Sequence, residues 1–288
     1  MPKQRATPAD SAISHHLIAQ IESLPGSVRQ NRIADLVLHR GFVSVPSVAT
    51  EFRVSEMTIR RDLSELERKG RVVRTHGGAM APEEHASPVV DRIEPAFDAR
   101  LHNNRQAKER IAAAAVELMG SSRTVALDVG TTTYLLATRL LQTPHLLAFT
   151  NSLRIAMLAT PSGTEMHIPG GQIRRNEMSV YGPSAVSLFE KLWFDIAFIG
   201  VSGTTADGIY DYSAEDSEMK RVYLRRSSRK VVLCDSLKFR RMSLVKVAPL
   251  DEIDVLVTDA QPPRDVSKAL EDAGVELRIA PELPPTPR

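Results

Sequence analysis

The sequence of 288 residues contains a single cysteine, Cys234. One cysteine excludes an internal disulfide framework and a zinc site built from several cysteines, and a reducing cytoplasm is the simplest setting for such a chain. The eight histidines show no spacing typical of a metal site, so we predict neither a metal nor a cofactor. Cys234 itself lies in an apolar run and is expected to be a small buried residue.

Long apolar runs are also missing. No stretch of about 18 uncharged apolar residues exists, which argues against a membrane-spanning helix and against a membrane partner. Residues 1–27 contain prolines and charges where a secretory signal would have a continuous apolar core. The composition, with 42% apolar and 25% charged residues, is that of an ordinary globular protein and excludes collagen-like or wholly disordered chains.

The net charge of +2 hides an asymmetry along the chain. Ten Lys and Arg residues stand against six Asp and Glu between Arg29 and His76, two of each kind lie in residues 1–27, and the remainder carries 25 basic and 27 acidic residues. A small basic module joined to a larger, slightly acidic one suggests that only the first contacts a polyanion. A chance fluctuation of a few charges would give the same count.

Proline, glycine and charge patterns divide the chain into five parts, in keeping with a length that predicts about two domains. We predict a polar extension over residues 1–27, a basic domain over 28–80, an extended linker over 81–100, a larger domain over 101–281 and a tail over 282–288. The linker assignment depends on three prolines, which favour extended backbone around them.

Three helices are predicted in the basic domain. Apolar residues recur at helical spacing over residues 32–39, and Ser44 can cap a second helix. Ser55 can cap a third helix over residues 56–69, which Gly70 closes. Four apolar residues of this third helix are placed for burial: Met57, Ile59, Leu63 and Leu66. Two short helices, a tight turn and a third helix form a helix-turn-helix.

The third helix has the width that fits the major groove of DNA, where residues at its N-terminal end reach base edges. A strand and glycine turn over residues 72–78 would form a wing along the DNA backbone or in a minor groove. The candidate DNA-binding residues are Arg29, Ser44, Ser55, Thr58, Arg60, Arg61, Arg74 and His76. A three-helix bundle whose paired arginines are merely solvated is the alternative at this point.

Short apolar runs alternate with helical patterns in the larger domain. The runs lie at residues 124–128, 146–149, 165–168, 196–199, 231–234 and 255–258, and the helical stretches at 106–119, 132–141, 153–159 and 214–226. The runs lack alternation of apolar and polar residues, which predicts strands buried on both faces. The fold class is therefore α/β with a parallel sheet, and ligands of such sheets bind at the carboxyl ends of the strands.

Polar or glycine-containing clusters follow five of these runs. In the first cluster, Gly130 permits a tight turn, and three threonine hydroxyls beside free helix amides form an anion cradle. The clusters comprise Asp128, Gly130, Thr131, Thr132, Thr133, Asn151, Ser152, Gly170, Gly171, Gly200, Ser202, Gly203, Asp235 and Lys238. Each cluster alone is weak because such residues are ordinary in loops, but five together favour one shared ligand site.

Lys220 and Lys238 are the best cations for a phosphate group in that site, and Lys108 is a third candidate. The carboxylates of Asp128, Glu215 and Asp235 could accept hydrogen bonds from sugar hydroxyls. The alternative for Lys220 is a place on a solvated helix face, since it begins a basic run.

The Thr-Ile-Arg-Arg-Asp-Leu sequence at residues 58–63, followed by His-Gly-Gly-Ala at 76–79, resembles the DeoR family of bacterial transcription regulators and is highly specific to it. The likeness covers about residues 28–280 and includes Asp235-Ser236-Leu237-Lys238-Phe239. It implies a winged helix-turn-helix that binds operator DNA, usually as a repressor. It also implies a sensor domain similar in fold to ribose-5-phosphate isomerase and CoA transferases, in which residues 130–133 hold a phosphate and Lys238 contacts the ligand.

Ser202 departs from the family pattern, because many members and the isomerases have an aspartate at this position. A serine without an activating partner cannot serve as a comparable base. We therefore expect no isomerase activity.

The combined interpretation is a cytoplasmic transcriptional repressor of carbohydrate-metabolism genes. We expect it to bind double-stranded operator DNA as a homo-oligomer, a dimer or tetramer, and to respond to a phosphorylated sugar or related effector. One alternative is a sugar-phosphate isomerase-like enzyme with an added DNA-binding domain. A second is a nucleoid-type DNA-binding protein without a ligand.

Overall fold

The computed structural model describes residues 26–282 except 41, 76, 81–88, 92, 142, 144 and 163. The chain divides into two units, residues 1–89 and 90–288. Residues 1–25 of the predicted extension and residues 283–288 of the predicted tail lie outside the described residues.

The described part of the smaller unit contains three helices and a small antiparallel sheet. In chain order the elements are α1 (Gly26–Arg40), β1 (Phe42–Ser44), α2 (Val45–Phe52), α3 (Glu56–Arg68), β2 (Val73–Thr75) and β3 (Gly78–Met80). The strand order is β1-β3-β2. The predicted three helices and wing are confirmed, and β1 is an additional strand that the sequence pattern did not indicate.

Capping hydrogen bonds explain where α2 and α3 begin, and a glycine explains where α3 ends. The Ser44 hydroxyl accepts the backbone N–H of Ser47 at 3.3 Å, and the Ser55 hydroxyl accepts that of Thr58 at 3.2 Å. After α3, Gly70 adopts φ +67°, a left-handed conformation that favours glycine. Both predicted caps and the predicted glycine stop are confirmed.

The core of the smaller unit includes Ile59, Leu63 and Leu66 of α3, which are fully buried as predicted. The predicted burial of Met57 is wrong, because its side chain is 75% exposed. Successive helix residues are separated by about 100° around the axis, so Met57 lies about 160° from Ile59 and the two cannot face the same core.

The larger unit begins inside β4 (Val89–Val90), whose successor Asp91 donates its backbone N–H to the carbonyl of Met242. The remaining elements, in chain order, are α4 (Phe97–His102), α5 (Arg105–Val116), β5 (Thr124–Leu127), α6 (Thr131–Leu140), β6 (Leu147–Thr150), α7 (Leu153–Ser162), β7 (Glu165–His167), β8 (Gln172–Arg174), β9 (Ser179–Tyr181), α8 (Pro183–Phe189), β10 (Phe194–Gly200), β11 (Gly203–Thr205), β12 (Gly208–Asp211), α9 (Ala214–Arg225), β13 (Ser227–Leu233), β14 (Arg241–Met242), β15 (Val245–Ala248), β16 (Val255–Thr258), α10 (Arg264–Asp272) and β17 (Glu276–Ile279). None of the helices in these described ranges has the length and apolar character of a membrane span.

Seven strands form a sheet with the order β17-β16-β13-β10-β5-β6-β7, and every neighbouring pair is parallel. Its central strands are apolar on both faces: Ile199 packs into one core cluster and its neighbour Phe198 into the other. Cys234 is fully buried at the end of β13, as expected. The predicted α/β fold is thus confirmed.

Burial on both faces is not general, however. In β7 the side chains of Glu165 and His167 are exposed, so that part of the prediction is wrong. The reason is position, since β7 is an edge strand of the sheet and apolar runs cannot distinguish an edge from a centre.

Residues 97–100, at the end of the predicted linker, belong to α4. Phe97 is buried and packs edge-on against Tyr134 of α6, with 5.7 Å between ring centroids. This contact attaches α4 to the larger unit. Antiparallel strands β8 and β9 form one small sheet and strands β11-β12-β15 another, and neither sheet was predicted.

Candidate functional site

A cleft of about 580 Å³, including its part open to solvent, lies at the carboxyl ends of β5, β10 and β13. Loops that follow parallel strands converge at this edge of a sheet. The predicted ligand-binding residues that line the cleft are Lys108, Gly130, Thr131, Thr132, Gly200, Ser202, Lys220, Asp235 and Lys238. Three of the five predicted clusters are therefore brought together.

The first turn of α6 forms one wall of the cleft. Gly130 precedes it with φ +118°, a conformation that favours glycine. The first backbone N–H groups of a helix have no acceptor within the helix, so those of α6 can meet an anion. Thr133, the residue after Thr132, donates its hydroxyl to the carbonyl of Val129 at 3.4 Å and does not line the cleft.

Lys220 lines the cleft, although its side chain is buried at 1% exposure. Its ammonium group bonds the carboxylate of Asp128 and lies 3.4 Å from that of Asp211. Asp128 also accepts the backbone N–H of Gly200 at 3.0 Å. Burial raises the pKa of Asp128 to about 7, although the charge of Lys220 opposes that rise. Lys220 is thus not on a solvated helix face, and its charge is already compensated by two carboxylates.

Lys108 is likewise buried, at 2% exposure. Its ammonium group donates to the carbonyl of Asn103 and lies 3.6 Å from the Asp235 carboxylate. Burial lowers the pKa of Lys108, and the charge of Asp235 opposes this effect. The Lys108 charge, like that of Lys220, is therefore part of an internal ion pair.

Lys238 differs from the other three cations that line the cleft. Arg100, Lys108 and Lys220 each pair with a carboxylate, whereas Lys238 is partly exposed and has no ion pair or side-chain hydrogen bond with any described residue. Its place is set by the short turn at residues 236–238, where the Asp235 side chain accepts the backbone N–H of Leu237 at 3.2 Å. Among the described cations that line the cleft, Lys238 is thus the one without a carboxylate partner.

Asn151 and Ser152 do not line the cleft, although they follow β6. The Asn151 side chain donates to the carbonyl of Val180 and accepts from the Tyr223 hydroxyl at 2.9 Å. The Ser152 hydroxyl accepts the backbone N–H of Ile155 at the start of α7. The structure gives both side chains buried structural contacts.

Gly170, Gly171, Gly203 and Glu215 are also not brought to the cleft lining. A side chain on Gly171 would place its Cβ 2.4 Å from the carbonyl oxygen of Tyr181, and one on Gly203 would lie 2.2 Å from that of Arg241. These two glycines permit close backbone approach. Glu215 accepts the Ser213 hydroxyl at 2.8 Å in the first turn of α9.

A network of five charged residues lines or adjoins the cleft and was missed from the sequence. Arg174 lies 2.6 Å from Glu94 and 2.5 Å from Asp216, while Arg100 pairs with Glu94 and Glu177. Burial raises the pKa of Glu177 to about 7, and the charge of Arg100 opposes that rise. Glu94 and Arg100 fall in the predicted linker, and the other three residues lie outside the predicted strand-end clusters, so those clusters could not have identified them.

The start of α3 is the exposed surface of the smaller unit on which the predicted DNA contacts concentrate. Ser55 and Thr58 are joined by a hydroxyl contact of 2.9 Å at the cap. Arg60 is 54% exposed and 3.3 Å from Glu56. Arg61 is exposed and makes no hydrogen bond or ion pair with any described residue.

The other predicted DNA contacts have internal partners or cannot be placed. Arg29 lies 2.6 Å from the buried carboxylate of Asp62, which ties α1 to α3. Arg74 of the wing donates to the Ser64 hydroxyl at 3.0 Å. Ser44 caps α2, and His76 lies outside the described residues.

Comparison with known proteins gives matches for both units. Residues 103–260 match the DeoR C terminal sensor domain, and residues 29–85 match the DeoR-like helix-turn-helix domain. The chain is 32% identical over 258 residues to the putative aga operon transcriptional repressor of Escherichia coli O157:H7, covering 89% of this chain and 94% of that protein. It is 29% identical to the glycerol-3-phosphate regulon repressor of Escherichia coli K12, covering 87% and 98%. Ribose 5-phosphate isomerase A from Methanocaldococcus jannaschii matches with a TM-score of 0.35 and 18% identity, covering 47% of this chain and 55% of that one.

Proposed function

Because the chain belongs to the DeoR family of transcriptional regulators, we propose that it represses genes of carbohydrate metabolism and that a phosphorylated sugar or related metabolite modulates its binding to operator DNA. Its homologues are transcriptional regulators and not enzymes. Two of them are repressors by name, one of the aga operon and one of the glycerol-3-phosphate regulon.

The arrangement around Lys238 is the main support for binding of a phosphorylated effector. Lys238 and the N-terminal turn of α6 supply an uncompensated cation and free backbone N–H groups to the same cleft. A phosphate group needs both a positive charge and several donors. The carboxylates of Glu177, Asp211 and Asp216 line the same space, and they suit the hydroxyl hydrogens of a sugar.

The chemistry around Ser202 supports binding without turnover. Its hydroxyl lies 2.9 Å from the carbonyl of Tyr210 and 2.7 Å from the Ser243 hydroxyl. Neither partner is a base that could activate the serine, so it offers no group for proton transfer.

The regulatory mechanism we propose is a population shift. An effector alters operator binding only if it binds the DNA-competent and DNA-incompetent arrangements with different affinities. We infer that the regulator acts as a homo-oligomer in the cytoplasm, because a symmetric dimer matches two operator half-sites.

The test uses the full chain and a duplex from the region upstream of its own gene. Fluorescence anisotropy measures operator affinity while glucose 6-phosphate, other hexose and pentose phosphates and glycerol 3-phosphate are titrated. We expect at least one phosphate ester to change the affinity of the wild type, and we expect Lys238→Ala to bind the duplex normally but lose most of the response. An exposed lysine of α10 provides the control, Lys268→Ala, which should respond like the wild type. A Lys238→Ala variant with an unchanged response contradicts the proposed site.

A further inference from the structure

The recognition helix α3 presents one large apolar side chain to solvent. Met57 is 75% exposed, while the other apolar residues of the helix, Ile59, Leu63 and Leu66, are fully buried. The core of the smaller unit is complete without Met57, so folding gives no reason for an apolar residue at this position. Its exposure places it among the groups available to a partner.

The position of Met57 on the helix is central to the outward face. At about 100° per residue, Arg61 and Ser64 lie within about 40° of Met57 around the axis, and Arg60 lies about 60° away. All of these side chains are exposed. Met57 is also two residues after the Ser55 cap, in the turn that a helix-turn-helix directs toward base edges. The result is a small apolar spot flanked by two arginines.

Charge and shape together identify the chemistry that fits this spot. The flanking arginines favour a polyanion over an apolar protein surface. In the major groove, the apolar group that a base presents is the 5-methyl of thymine, and apolar side chains are its usual contacts. A flexible methionine side chain can adapt to a methyl group in such a setting.

We propose that Met57 packs against a thymine methyl group of the operator and makes the protein prefer thymine at that position. This inference rests on the DNA binding proposed above and goes further, by assigning one residue to one base. Arg60 and Arg61 then supply contacts to neighbouring guanines or phosphates.

Uracil substitution tests the contact directly, because deoxyuridine differs from thymidine only by the missing methyl group. Duplexes bound by the full-length protein are first selected from a random library, and each thymine of the selected sequence is then replaced singly by uracil. For the wild type we expect one thymine whose replacement raises Kd about fourfold, the effect of losing one buried methyl group. Met57→Ala should bind the thymine and uracil duplexes equally at that position, whereas Met57→Leu should keep a preference.

A matched control is available in the other unit. Met157 of α7 is 72% exposed, and Met157→Ala should retain the full wild-type discrimination. Wild-type affinity that is indifferent to uracil at every thymine overturns the inference while leaving DNA binding intact. The inference is also overturned if Met57→Ala keeps the thymine preference but changes the oligomeric state in the absence of DNA. Met57 would then lie in an interface between protein chains. Failure to select any duplex overturns the DNA-binding function and this inference together.

Discussion

Arg60 and Arg61 on α3 are exposed, whereas Lys108 and Lys220 in the cleft are 2% and 1% exposed and form ion pairs with carboxylates. An exposed cation contributes little to stability and is free to meet a partner's phosphates. A buried, paired cation is part of the fold, because removing it leaves an uncompensated charge. Two groups of basic residues that look alike in the sequence thus have different physical roles, and burial decides which.

The largest effect is expected when a buried cation is removed. Replacing Lys220 by methionine leaves the carboxylates of Asp128 and Asp211 without their partner. We expect the free energy of unfolding of the larger unit to fall by about 3–5 kcal/mol, the usual cost of breaking a buried pair. Urea denaturation followed by circular dichroism measures the change, and Lys268→Met on the surface should change it by less than about 0.5 kcal/mol. Equal stability of the two variants would show that Lys220 is not structural.

The pH dependence of the unfolding free energy provides a second test, at Glu177 in the network of five charged residues. Glu177 has its pKa raised to about 7 in the folded protein, mainly by burial, whereas its unfolded value is near 4.3. The folded state therefore binds more protons than the unfolded state between about pH 4.5 and 7, so the stability contributed by this group falls as pH rises through that window. The slope is up to about 1.4 kcal/mol per pH unit.

Glu177→Gln isolates this effect from the titration of other groups. The difference in unfolding free energy between wild type and variant should change across pH 4.5–7 and become constant above about pH 8. A difference that is flat over the whole range would mean that Glu177 is ionised throughout in the folded protein.

A smaller effect is expected at the exposed cations. Arg61→Ala should weaken operator binding by about 1–3 kcal/mol and relax the preference at one base pair if Arg61 contacts a base. If Arg61 contacts a phosphate, binding to all sequences should weaken alike. The slope of the logarithm of the affinity against the logarithm of the salt concentration should then decrease in magnitude by about one. Competition binding at several salt concentrations distinguishes the two. Thermal unfolding should stay unchanged, and a destabilised Arg61→Ala would remove the contrast with Lys220.

The smaller unit was predicted well because its signals are local. Caps at Ser44 and Ser55, the stop at Gly70 and the helical spacing of Ile59, Leu63 and Leu66 each depend on residues a few positions apart. The prediction of burial at Met57 is wrong because it depends on residue type and not on the angle around the helix axis. Residue type alone does not say that Met57 and Ile59 lie on opposite faces, but the angle between them does.

The cleft was predicted less completely because its contacts are long-range. The strand-end clusters pointed to Gly130, Lys238 and Asp235, and these residues line the cleft because the carboxyl ends of parallel strands share one edge. The pairing of Lys220 with Asp128 joins residues 92 positions apart, and that of Arg100 with Glu177 joins residues 77 apart. No periodicity encodes such pairs. The sequence also could not show that the side chains of Asn151 and Ser152 make hydrogen bonds inside the fold.

The single cysteine, Cys234, has a practical consequence for labelling experiments. Cys234 is fully buried, and burial raises the pKa of its thiol far above the ordinary range, so little of the reactive thiolate is present near neutral pH. The native protein should therefore resist maleimide reagents without any mutation. A cysteine engineered on the exposed face of α3 could then carry a fluorophore or spin label at a single known site, so that the proposed effect of an effector on α3 can be tested in the otherwise unmodified chain.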